Sequence, residues 1–317
     1  MHWLGWIPIG LLSVYLLYKG FMRLLVVFIG MSFIKTIPKD AERALQKENE
    51  KRVKGEIPPL THEDWGMMVI APQALLGGNS CTDYSPRDDP DSGFDLIYGV
   101  KNRQDLIHEL FLLITGQDEG RVLFHETREK VIGLPEKEFK KALKEIRRRN
   151  VTQEEKKAFI WQYKVMYHNI NEAQSLKYFP TDYHTFIGNC LAGCRLKYIT
   201  EAEAKAWANM LAPFFRETFS GWGDVWHSYV MNLWFFVGYD KELKQMEPTY
   251  RAIINVLLKE MCSPINTIRW DAPLPPVETF SFAEAVAGLN VKSASGRVMD
   301  VDEVNNIIRK HLNMAGS

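Results

Sequence analysis

The 317-residue chain is poor in cysteine, with four residues, too few for the disulfide framework of a small secreted domain. It also lacks a surplus of either charge: Lys plus Arg and Asp plus Glu each total 39, so the net charge is zero. Proteins that coat nucleic acid carry a basic excess, so nucleic acid is not an expected partner. Familiar enzyme signatures are missing: there is no Gly-x-Ser-x-Gly elbow, no dinucleotide fingerprint and no set of kinase motifs. His125-Glu126 lacks the second histidine of a zinc-protease helix, and Gly77-Gly78 lacks the Gly-Lys-Ser/Thr of a phosphate loop. Asp83, Asp88, Asp89 and Asp91 sit in one polar loop without the glycine and glutamate offsets of a calcium hand. Cys190 and Cys194 share a helical face, but that face is apolar and no nearby His or Cys pair completes a tetrahedral set. Neither metal nor cofactor is expected. Internal repeats and sustained strand-like alternation are missing too.

What is present is ordinary globular composition, 46% hydrophobic and 25% charged. The length suits about two domains or one large one. The strongest local signal lies at the N-terminus, where Trp3–Ile34 is apolar apart from Lys19, Arg23 and a few small polar residues. Trp3–Tyr18 is slightly short of the ~20 residues a span needs, but Lys19 can snorkel and extend it. Leu24–Ile34, about 11 residues, rises only ~16 Å as a helix. No basic n-region precedes the run and no Ala-x-Ala site follows it, so it reads as a retained anchor over 1–34, single-pass or hairpin-like. Lys19, Arg23, Lys35 and Lys39 all follow the first apolar block. The positive-inside rule then places the body of the chain in the cytoplasm, tethered to a bacterial inner membrane by residues 3–34 in the bilayer.

Beyond the anchor, residues 35–56 carry charges of both signs and read as a solvated juxtamembrane helix or linker. The body, 57–262, shows helical periodicity almost throughout. Trp65–Leu76 is an early core helix, and Leu106, Ile107, Leu110, Phe111 and Ile114 mark another. Pro135 opens a basic amphipathic helix over 136–150, and Thr152-x-x-Glu155 caps one expected to run to about Lys177. Asp182 opens the next, Thr200-x-x-Glu203 caps one that Pro213 should bend, and a buried stripe follows from Val225 to Val237. Another helix is expected from Pro248 to Met261. Residues 263–317 form a proline-containing extension with short helices near 282–289 and 301–311. The fold class is therefore mainly α: a membrane-anchor helix followed by a multi-helix cytoplasmic domain.

Candidate chemistry is sparse. Asp224 and His227, three apart, meet on one helix face, and Asp182 with His184 begins another helix. A carboxylate can orient an imidazole, so Asp182, Asp224 and His227 are the candidate catalytic acid–base residues. The competing reading makes Asp182 an N-cap and Asp224 a carboxylate stabilised by a helix dipole. Trp222, Tyr229 and the basic run Arg147, Arg148 and Arg149 are candidate binding residues, although arginine at a helix C-terminus is favourable without any ligand.

The order FPTDYHTF, LKYITEAEAKAW, FRETFSGWGDVWHSYVMNLWFF resembles a family of uncharacterised bacterial proteins typified by YbeU and YbeR. The residues that carry the resemblance are Asp182, Tyr198, Ile199, Ala204, Trp207, Trp222, Tyr229 and Trp234, with Tyr98-Gly99-Val100 opening the upstream segment. It covers roughly residues 65–238. Thr185 stands where that pattern often has an arginine, and Asn232 where a glycine is common. The resemblance implies an α-helical protein of unestablished activity, with some members linked to competition between bacteria. The expected function is a membrane-anchored protein-interaction module with an immunity or accessory role. The alternative is an uncharacterised hydrolase or toxin-like effector using the Asp/His cluster.

Overall fold

The computed structural model describes residues 37–85, 100–116, 119–177, 179–240, 243, 246–293 and 296–312. The anchor expected over 1–34 lies outside the described residues. Among those described, no helix is long and apolar enough to cross a membrane. They are mainly helical, and the sole β feature among them is an isolated bridge between Lys292 and Val298.

In chain order the helices are α1 (Ile37–Val53), α2 (Ala71–Leu76), α3 (Arg103–Thr115), α4 (Glu119–Val131), α5 (Glu136–Arg148), α6 (Gln153–Tyr167) and α7 (Phe179–Arg195). Then come α8 (Glu201–Asn209), α9 (Ala212–Thr218), α10 (Trp222–Val237), α11 (Met246–Lys259), α12 (Phe280–Ala287) and α13 (Val301–His311). The starts follow from local chemistry. Thr152, Thr200 and Asp300 each accept a hydrogen bond from the backbone N–H three residues on, while a glutamate there reaches back to the cap. Pro213 falls in the first turn of α9 and separates it from α8, the bend its ring predicts.

α7 is the central helix. It packs on α3, α8 and α10, and buries Tyr183, Phe186, Ile187, Cys190 and Leu191. Around it lies the larger of two apolar clusters, which also takes in α1, α2, α11, α12 and α13. α1 is charged on its outer face yet buries Ala41 and Leu45 and packs on α11, so this charged stretch is docked on the body. The C-terminal segment contributes Phe282, Val286, Val304 and Ile308 to the same cluster. A second cluster holds α4, α5 and α6 together through Phe124, Phe139, Ile146 and Met166, and meets α10 at Met231, Trp234 and Phe235.

One expected helix is shorter than its periodicity suggests. α6 ends at Tyr167, and Asn169, Asn171 and Glu172 take φ of 50, 52 and 59°. Asparagine tolerates this left-handed region, and Asn169 Oδ1 accepts from Gln174 N at 2.9 Å. The side chain thus supplies a local bond that competes with continuing the helix.

Candidate functional site

The first turn of α7 brings the most chemistry together. Asp182 is 1% exposed, and Arg121 on α4 donates from Nε to its Oδ2 at 2.5 Å. The helix N-terminus favours the carboxylate further. Burial works against the Arg121 charge, but Asp182 outweighs it and raises the Arg121 pKa. Gly116 ends α3 with φ 71°, so glycine is favoured there by the backbone, and a Cβ would lie 2.7 Å from Arg121 Nη1 and press on that side chain. The guanidinium that meets Asp182 thus comes from a helix 61 residues upstream of it.

Tyr183 stays with the pair, its ring centroid 5.8 Å from the Arg121 Cζ. Burial pushes the Tyr183 phenol up, with Arg121 opposing. His184 is 2% exposed and lies parallel to Tyr229 of α10, with ring centroids 3.7 Å apart. Burial alone pushes its pKa down to about 3, which keeps the imidazole neutral. Its Nε2 is buried with no hydrogen-bond partner among the described residues.

Asp224 and His227 occupy the exposed start of α10. Asp224, in the first turn, accepts from Ser220 N at 3.0 Å and Ser220 Oγ at 3.1 Å, which ties the helix back to the residue before its N-cap Gly221. His227 Nδ1 accepts from Arg251 Nη1 at 3.0 Å, and Arg251 Nε donates to Glu247. Partial burial and the Arg251 cation lower the His227 pKa, while Asp224 and Glu247 oppose them. Asp224 thus bonds Ser220, His227 bonds Arg251, and Asp182 turns to Arg121, so the three are not brought into one hydrogen-bonded cluster.

The expected binding residues separate as well. Trp222 is 4% exposed, with its ring centroid 4.6 Å from that of Trp65 and 4.9 Å from that of Trp270. It donates from Nε1 to Ile268 O at 3.1 Å, so it belongs to the core, where a partner does not reach it. Tyr229 is half-buried under His184. Arg147, Arg148 and Arg149 are exposed, and Arg149 also lies over Phe159 at 5.4 Å. Cys190 and Cys194 are free thiols, both raised by burial, and no metal-holding group occurs among the described residues.

An open cleft of about 320 Å³ lies at the C-terminal end of α7, lined by Tyr84, Arg103, Cys194 and residues 197–201 with Glu203. Two of its charges, Arg103 and Glu203, are paired with each other, and Glu201 pairs with Lys205 outside it. Arg103 donates to both Glu203 oxygens, at 2.6 and 3.2 Å, and to Tyr198 O at 3.1 Å. Arg121, Arg251 and this cleft escape a reading of the sequence because each depends on helices far apart in the chain, and the sequence shows His184 beside Asp182 but not its stacking on Tyr229.

The described residues form a mainly helical domain, with an arginine–aspartate pair at the first turn of its central helix. Residues 96–270 match the family described as "Protein of unknown function (DUF1266)". That span exceeds half of the chain, which belongs to this family and carries every residue of the α7 and α10 sites within the match. Neither a curated protein nor a solved structure matches the chain.

Proposed function

We propose that this is a membrane-tethered bacterial protein whose helical domain binds another protein, in an immunity or accessory role during competition between bacteria. The observation that carries this reading is the employment of the candidate acid–base residues. Asp182 neutralises a largely buried guanidinium, and Asp224 ties the first turn of α10 to Ser220, which are structural tasks. A tether through residues 3–34 at the inner membrane would hold the domain in the cytoplasm at high effective concentration near a membrane-bound partner. Within its family we infer a YbeU- and YbeR-like member, on Asp182, Tyr198, Ile199, Trp207 and Trp234. One observation favours the alternative enzyme reading: a neutral, exposed His227 between Asp224 and Arg251 has the makings of a general base.

The test is affinity capture of the full-length chain from host membranes, beside the Asp224→Asn/His227→Gln variant. One stoichiometric partner, retained by both and rebound from purified components, is the expected result. No partner for either chain, with the variant folded, overturns the binding reading and directs attention to substrates for His227.

A further inference from the structure

We propose that α5 presents a cationic stripe that lies against an anionic lipid surface. Lys137, Lys141, Lys144 and Arg148 are spaced four, three and four residues apart, so they stand in one line along the helix, over ~16 Å. All four are exposed, and none has an ion-pair partner among the described residues. Lys140, which pairs with Glu136 at 2.5 Å, and Arg147 flank the line on one side. Phe139, Leu143 and Ile146 hold the opposite face in the core, so the stripe cannot turn inward. The acidic residues Glu138 and Glu145 lie to the other side, leaving the line itself with positive charge only.

Helices ordinarily mix signs at this spacing, because like charges one turn apart repel. Here Lys137 faces Lys141 and Lys144 faces Arg148, while Glu138 and Glu145 border the line beside Lys141 and Arg148, in a chain whose total charge is zero. α5 itself carries six basic and three acidic side chains, so its net charge is +3, and acidic charge balances it elsewhere in the chain. Long lysine stems on a rigid helix suit a flat, laterally mobile anionic surface, which asks for no shape complementarity. The apolar run at residues 3–34 selects lipid over other polyanions, since it would hold the helix near a bilayer at high local concentration. In this choice of occupant the inference rests on the tether reading.

The test uses the full chain reconstituted in phosphatidylcholine vesicles with and without phosphatidylglycerol. Amine acetylation at Lys137, Lys141 and Lys144 is read by mass spectrometry, with exposed Lys259 and Lys310 as references. On anionic vesicles at low salt the three stripe lysines should react at least about fivefold more slowly than on neutral ones, while the references hold steady. High salt should abolish the difference. The Arg147→Glu/Arg148→Glu variant keeps all three reporters and should cut the difference below about twofold. Equal reactivity on both vesicles, or uniform slowing of all five lysines, overturns the proposal. If the chain fails to float with neutral vesicles, the tether reading falls by itself. Salt-sensitive protection on anionic vesicles would then still sustain the stripe.

Discussion

A guanidinium and a carboxylate inside a helical core are each costly to desolvate alone, and each makes the other tolerable. Asp182 is 1% exposed, and its side chain meets an Arg121 side chain that is 17% exposed. Asp182→Ala should therefore cost about 3 kcal/mol in urea unfolding, because it strands the arginine. Arg121→Met/Asp182→Leu should recover most of that loss, since two apolar side chains need no pairing. A double variant as unstable as the single one would show that the pair itself, and not the stranded charge, is what the fold needs. His184 gives a pH dependence with a definite sign. Its folded pKa, about 3, lies below the ordinary 6.5, so the unfolded chain takes up the proton first. Stability should rise with pH between those values and fall as pH drops below 6.5, by about 1.4 kcal/mol per unit at most. His184→Phe keeps a ring against Tyr229, removes the titration, and should flatten the urea midpoint between pH 6 and pH 4. Asp182 could be singled out from its own neighbourhood in the chain, but Arg121 could not. The pairing is a long-range fact, and the Glu-Gly-Arg-Val context around Arg121 reads as an ordinary charged helix start.

At the scale of the elements, glycine records how closely helices approach. Gly66 begins a 3-10 turn over Gly66–Ile70, donating from N to Asn209 Oδ1 at 2.8 Å, while Asn209 Nδ2 donates to Glu63 O at 2.7 Å. A Cβ at Gly66 would stand 2.7 Å from the Ala208 carbonyl carbon and 2.8 Å from its oxygen. These are backbone atoms of α8 and cannot swing aside, so Gly66→Ala should destabilise by about 2 kcal/mol or more in thermal or urea melts. Gly188, inside α7, is the opposite case: the nearest atom to its Cβ position is Gln73 Oε1 at 3.9 Å. Gly188→Ala should stabilise by about 0.7 kcal/mol through lost freedom in the unfolded chain. If both substitutions moved stability the same way, the packing of α8 on the 3-10 turn would not be the cause. Helix starts were legible because capping is local: Thr152 and Thr200 announce α6 and α8 within four residues. The end of α6 was not, because periodicity continues past Tyr167 while Asn169 diverts the backbone. Nor could spacing reveal that Trp222 packs inward against Trp65 and Trp270, since an aromatic at a helix start suits a surface equally well.

At the scale of the whole molecule, the family match ends at residue 270 but the core does not. Phe282 sets its ring edge-on to Phe186 and Trp207, with centroids 5.7 and 5.0 Å apart. Phe282, Val286, Val304 and Ile308 are each 0% exposed, and α12 and α13 both pack on α3. Burying each of these side chains contributes about 1.5–3 kcal/mol, so together they supply on the order of 10 kcal/mol. A whole domain is stable by only about 5–15 kcal/mol. A chain ending at residue 270 should therefore lose its cooperative urea transition and its near-ultraviolet tryptophan signal, and bind hydrophobic dyes through the uncovered faces of α3, α7 and α8. Retention of a sharp transition at an unchanged midpoint would mean that the matched span carries its own core and that α12 and α13 are a later addition resting on it. The packing of Phe282 between α7 and α8 argues for the first outcome, because its removal opens the same helices that hold Asp182 and the cleft at Arg103.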